Sequence, residues 1–179
     1  MNCHLAANPR MARLFDDAAR QQSFQAVTDM KLRPPQLDEL DALSALCLRS
    51  KAVWGYDQAF LAACREELTI RADELASSTL CVAEHDGAIV GVAQVTVAGN
   101  TADLQKMFVE PRAIGLGVGK ALFQWAASTA KFRGALHLTI DADPDAVGFY
   151  RKMGAIEHGT IASGSIPGRV LPHLVVELS

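Results

Sequence analysis

Apolar residues change period repeatedly along this chain, and each change marks an element. Met30-Lys31-Leu32-Arg33 alternates apolar and polar, which suits a short strand, and Pro34-Pro35 stops it. Leu37, Leu40, Leu43 (or Ser44) and Cys47 then recur at helical spacing, with Asp38, Glu39 and Asp41 where a first turn favours anions. Ser50 to Tyr56 reads as a connection. Asp57 is placed to cap a second helix whose buried stripe is Phe60, Leu61, Cys64 and Leu68. Three strands follow: Thr79 to Glu84, Ala88 to Val97 and Ala102 to Val109. His85-Asp86-Gly87 joins the first two, and Asp-Gly is a strong hairpin turn. Ala98-Gly99-Asn100 turns into the third.

From Gly117 to Phe132 the period is helical again. Val118, Ala121, Leu122, Trp125, Ala126 and Thr129 share one face; Lys120, Gln124, Ser128 and Lys131 share the other. Arg133-Gly134 supplies a cation and a glycine to end that helix. Ala135 to Asp141 reads as a strand, reached by a right-handed crossover. Asp143-Pro144 opens another helix with Ala146, Phe149, Tyr150 and Met153 on one face and Gly154 as its stop. Two final strands, Ala155 to Ile161 and Val170 to Leu178, flank a Ser163–Arg169 loop. The predicted order is β-α-α-β-β-β-α-β-α-β-β. No repeat, low-complexity tract or linker interrupts it. Residues 1–29 carry Arg10, Arg13, Arg20 and a polar Gln21-Gln22-Ser23 with only Leu14 and Phe15 as anchors. They are expected to be an N-terminal extension, helical or partly disordered, to a single domain over 30–179.

Candidate chemistry begins at Gly115-Leu116-Gly117-Val118-Gly119-Lys120, between a strand and a helix. The first-turn amides of a helix lack intrahelical partners, and the helix dipole favours an anion beside them. Small side chains let a phosphate approach. A P-loop would require Gly five residues before the Gly-Lys pair and Ser or Thr after the Lys, where this chain has Ile114 and Ala121. A dinucleotide fingerprint would require its third Gly where Lys120 stands. The run also serves as a turn that simply packs a helix close to a sheet.

The flanks separate these readings. Asp103-Leu104-Gln105-Lys106-Met107-Phe108-Val109-Glu110-Pro111, then Gly115-x-Gly117-x-Gly119 and Ala121-Leu122, resembles the core motif of the GNAT N-acetyltransferase superfamily. A second block, Asp143-Pro144-Asp145-Ala146-Val147-Gly148-Phe149-Tyr150 followed by Met153-Gly154-Ala155, is similar to that family's Asn-x-x-Ala-x-x-(Phe/Leu)-Tyr helix. The resemblance covers residues 30–178. Two positions depart from it: Ile114 where Arg or Gln is usual, and Asp143 where Asn is usual.

The resemblance implies an α/β (α+β) fold with a mixed, mostly antiparallel sheet flanked by helices. It also implies acetyl-CoA as cofactor. Met107, Phe108 and Val109 would meet the pantetheine arm through their main chain, with an N–H of Met107 or Phe108 polarising the acetyl carbonyl. Amides from Gly115, Leu116, Gly117, Val118, Gly119 and Lys120 would hold the pyrophosphate. Asp143 is a cofactor contact by alignment, and equally a helix N-cap by chemistry. Tyr150 aligns with the tyrosine that protonates the departing thiolate, a role a phenol of high pKa suits. Glu84, Asp103, His137 and Asp141, near strand ends, are general-base candidates, with ordered water as the alternative. Trp54, Tyr56 and Arg169 are candidate acceptor contacts, Arg169 as partner for a carboxylate.

Composition narrows the partners. The 179 residues are 50% hydrophobic and 21% charged with net charge −3, which fits one soluble domain and gives no nucleic-acid footprint. The longest apolar run, Ala88 to Ala98, is too short for a membrane span. Cys3, Cys47, Cys64 and Cys81 lack metal spacing and read as reduced thiols of a cytoplasmic protein. No metal is required. The expected activity is transfer of acetyl from acetyl-CoA to a primary amine of a small molecule or peptide N-terminus. The alternative is a catalytically silent acyl-CoA sensor, which Ile114 and Asp143 keep open and Tyr150 opposes. Pairing into a homodimer is left open.

Overall fold

A computed structural model describes residues 30–179. The expectation for residues 1–29 lies outside the described residues. Seven strands form one sheet in the order β1-β2-β3-β4-β5-β7-β6. They are β1 (Lys31–Arg33), β2 (Thr79–His85), β3 (Ala88–Ala98), β4 (Thr101–Val109), β5 (His137–Asp141), β6 (Ile156–Ala162) and β7 (Val170–Glu177). All neighbours are antiparallel except β4 and β5. The helices are α1 (Leu40–Ala52), α2 (Gln58–Leu68), a four-residue α3 (Glu74–Ser77), α4 (Val118–Phe132) and α5 (Val147–Lys152).

The element order follows the hydrophobic pattern closely, and the local reasons hold. Asp86 and Gly87 take φ of 51° and 73° in the β2–β3 hairpin, the left-handed pair that such a turn requires. The Asp57 side chain accepts from the Phe60 amide at 2.8 Å and caps α2. Three details differ. α1 runs on to Ala52, through much of the expected connection, and Leu37 lies in a short 3₁₀ turn, exposed to solvent. The buried face of α4 also takes in Phe123 and Ala130, because every third or fourth position along it meets the sheet. α3 carries too few apolar residues to show a period.

Each face of the sheet has its own core. Leu43, Leu46, Cys47, Cys64 and Leu68 of α1 and α2 pack with Val82 and Val92. Val118, Leu122, Phe123 and Ala126 of α4 pack with Val95, Leu104 and Leu138. Gly91 on β3 allows the second contact. A Cβ there would lie 2.8 Å from Leu122 Cδ1 and 2.9 Å from Val118 Cγ1, so only glycine lets α4 seat this close. Cys47, Cys64 and Cys81 are buried, free thiols; burial pushes Cys47 up to about 12 and Cys81 up to about 11.

Candidate active site

The parallel pair β4–β5 makes the site by coming apart. The two strands pair only over Thr101–Asp103 with His137–Thr139. At that point β4 carries a bulge: Gln94 faces Lys106 and Val95 faces Leu104, so Gln105 is the extra residue. Beyond it, Leu104–Val109 has no strand on the β5 side, and a cleft opens there. The Glu110 amide donates to Val90 O on β3 at 2.8 Å, whereas the Val109 amide turns away to Ser50 Oγ at 3.3 Å. Strand alternation puts the Met107 amide on the same side as Val109, toward the cleft, and sends that of Phe108 to β3. Of the two donors expected from sequence, Met107 has the usable geometry.

At one end of this cleft stands the glycine turn. Gly115 and Gly117 adopt φ of 91° and 84°, which β-carbon-bearing residues rarely take, and they bend the chain into α4. The first α4-region amide to find a backbone acceptor is Ala121, to Gly117 O at 3.0 Å. Among the described residues the amides of Gly117, Val118, Gly119 and Lys120 donate to no protein group. A side chain on Gly115 would meet nothing within 4 Å, so the turn has room above it. Ile114, Leu116 and Lys120 are exposed around the turn, and the Val118 side chain belongs to the core. These amides and that space fit a phosphate group, and the loss of a polar side chain at Ile114 leaves them in place.

A cavity of about 300 Å³ runs from this turn along the cleft, lined among others by Met107, Gly115, Gly119, Phe149 and Tyr150. Tyr150, on α5, is 7% exposed and packs against Phe123 and Phe149 at ring distances of 6.1 and 5.2 Å. Burial raises its pKa well above the ordinary phenol value, so it stays protonated. No described residue hydrogen-bonds its hydroxyl. Neutral, and facing a cavity, it is a proton donor in waiting.

Asp143 is both N-cap and hub. It accepts from the Asp145 amide at 3.3 Å, and it also gathers Lys51 Nζ at 2.8 Å, Tyr56 Oη at 2.9 Å and Arg169 Nη2 at 3.2 Å. Arg169 Nη2 also donates to Tyr56 Oη at 2.6 Å, and its guanidinium lies 5.0 and 4.8 Å from the stacked rings of Tyr56 and Phe60. Burial alone would raise the Asp143 carboxyl; the Lys51 ammonium and the Tyr56 hydroxyl outweigh it and hold the carboxyl below the usual aspartate range. Its side-chain oxygens are thus engaged by protein groups at the cavity wall. Trp54, 43% exposed, lines the same cavity. Sequence pattern singled out Tyr56 and Arg169 but missed Lys51, because nothing local marks a lysine whose partner lies 92 residues away.

A second cavity, of about 690 Å³, opens beside the bulge and shares Leu104, Gln105, Glu67, Asp141 and Leu171 with the first. Asp103 and Asp141 line it; Glu84 and His137 do not. Glu84 is bonded to Arg33 at 2.8 Å, and His137 to Glu177 at 3.1 Å. Asp103 accepts from Thr139 at 3.3 Å; burial first, and then the neighbouring Asp141, raise its pKa. Asp141 is bonded to His173 at 2.7 Å. The four base candidates thus reduce to two.

Among the described residues no helix is long and apolar enough to cross a membrane. No curated protein matches the chain. Solved structures do match in fold. The PaiA N-acetyltransferase of Thermoplasma acidophilum, in complex with coenzyme A, superposes with TM-score 0.67 at 16% identity over 83% of this chain and 98% of that one. A GCN5-related N-acetyltransferase of Rhodopseudomonas palustris gives 0.69 at 24% identity over 83% and 95%. The ribosomal-protein-S18-alanine N-acetyltransferase of Escherichia coli gives 0.62 at 16% identity over 84% and 94%. The family model for the acetyltransferase (GNAT) domain matches residues 40–162, which span the split strands, the glycine turn and Tyr150. The chain belongs to the GNAT acetyltransferase family.

Proposed function

We propose that this protein is an acetyl-CoA-dependent N-acetyltransferase acting on a primary amine by direct transfer. The observation that carries the reading is the row of partnerless amides from Gly117 to Lys120 at the end of a cleft that leads to a buried, protonated tyrosine. Acetyl-CoA, when bound, supplies an acyl group already activated as a thioester. The residues of this chain do the rest. The turn from Gly115 to Lys120 holds the pyrophosphate, and the exposed edge of Met107 to Val109 aligns the pantetheine arm. The Met107 amide stabilises charge on the carbonyl oxygen, an effect worth about 3–4 kcal/mol when such a donor is removed. Tyr150 gives its proton to the leaving sulfur. On the opposite side Asp103 takes a proton from the incoming ammonium, directly or through water, and its raised pKa matches it to that task. The Asp143 carboxylate anchors the acceptor loops, and its contact with the cofactor is limited to the cavity wall it shares.

The silent-sensor reading requires the turn but neither Tyr150 nor Asp103; their placing in two cavities that share a wall favours the enzyme. Thermal melting tests the phosphate seat. Acetyl-CoA at 100 times its Kd stabilises the native state by about 2.7 kcal/mol, whereas ATP and NAD leave Tm unchanged. Gly117→Asp, which adds bulk and like charge and strains the left-handed turn, abolishes the acetyl-CoA shift. Retention of the full shift in that variant would remove the phosphate assignment.

A further inference from the structure

The charges around Asp143 do not balance. Lys51 and Arg169 have side chains only 14% and 17% exposed, and both are paired to one carboxylate, itself 8% exposed. Tyr56 adds no negative charge, since burial and its bond to Asp143 raise its pKa. The other carboxylates on the wall of the first cavity, Glu67, Asp141 and Asp145, pair with neither cation, Asp141 being bonded to His173. Nε and Nη1 of Arg169 donate to no described residue, and only one Lys51 hydrogen bond is recorded. A largely buried cation without its counter-charge is costly, and an anion beside the pair would offset that cost. Tyr56 and Phe60 stack beneath the guanidinium and hold it in place.

The second cavity carries the opposite sign. Asp103, Asp141, Glu66, Glu67 and Glu74 line it against Lys106, which is bonded to Glu74 at 3.2 Å. Glu67 and Asp141 border both cavities, so Lys51, on the wall of the first, meets the carboxylate-lined space across the divided strands, with Arg169 joined to it through Asp143. A ligand lying across that junction would meet positive charge at one end and negative charge at the other.

We propose that the acceptor is an amino carboxylate, whose carboxylate is held by Arg169 and Lys51 and whose amine points to Asp103 and Asp141. This rests on the transferase reading above and gives it a substrate class. Arg169 donates to the carboxylate through the nitrogens that Asp143 and Tyr56 leave unused, and Lys51 adds charge beside it. Asp143, on the cavity wall beside Lys51, remains as the pin that holds Arg169 against it. The ammonium end enters the acidic cavity and gives up one proton to Asp103 before its nitrogen bonds to the thioester carbon. As the carbon–sulfur bond breaks, Tyr150 protonates the sulfur and the second nitrogen proton restores the Tyr150 phenol, so the products are amide, free thiol and one proton on Asp103.

The experiment is calorimetric titration of the full chain, with and without CoA, using three matched series of one to five methylenes: ω-amino acids, n-alkylamines and α,ω-diamines. The amino acid binds roughly ten-fold or more tightly than both counterparts at one chain length or more. Arg169→Gln removes that preference, and Arg169→Lys restores part of it. The loss falls on the amino acid and not on CoA. Equal binding of the three series, tighter binding of the diamines, or a loss that falls on CoA instead would overturn the proposal. Thiol release from acetyl-CoA is measured in parallel: its absence with every amine breaks the transferase reading, while the titrations still decide the substrate class.

Discussion

The two sides of the divided strand pair are built from different materials. In the proposed reading the donor-side groups are backbone amides from one continuous stretch, Met107 to Lys120. On the acceptor side they are ionised side chains brought from α1, the α1–α2 turn, β4, β5 and the β6–β7 loop. Backbone recognition would tolerate side-chain change, so the exposed Ile114 leaves the free amides of the turn in place. Side-chain recognition depends on each partner, so in the proposed reading acceptor choice is more sensitive to substitution than cofactor binding.

Three substitutions test that division, in decreasing order of effect. Tyr150→Phe lies on the donor side but acts through a side chain. It lowers kcat by about 10³-fold with little change in acetyl-CoA affinity, read by steady-state kinetics beside a binding isotherm. Unchanged turnover would take Tyr150 out of the reaction. Asp103→Asn lies on the acceptor side and costs about 10²-fold in kcat/KM for the amine. The sign of its pH dependence follows from the raised pKa: the group accepts a proton only above that value, so wild-type kcat/KM rises through a point above the usual aspartate pKa of 3.8. The asparagine variant lacks that limb, and a profile identical to wild type would return the base role to water alone.

The smallest effect is on stability. Gly91→Ala forces a Cβ against Val118 and Leu122 and lowers unfolding free energy by about 1–3 kcal/mol, read from urea melts. Because Val118 opens α4, acetyl-CoA affinity falls with it, whereas acceptor preference does not. An equal loss on both sides would mean that the division between them is not mechanical.

The hydrophobic periods and turn residues determined the strands and every helix but α3, in type and order, because those signals are local: alternation for strands, three-to-four spacing for α4, Asp86-Gly87 for the hairpin. The same locality made the glycine turn legible, since glycines at fixed offsets between a strand and a helix dictate where free amides stand. The α1 end and Leu37 were misjudged where apolar spacing alone could not fix a boundary. Other features only the tertiary structure decided. The placing of β7 between β5 and β6, the bulge at Gln105, and the steric demand for Gly91 each depend on what lies across the sheet. Lys51, Asp143 and Arg169 are separated by 92 and 26 residues from one another along the chain. Nothing in a local window couples them, because a charge seeks its partner through space and only the finished fold brings these three together.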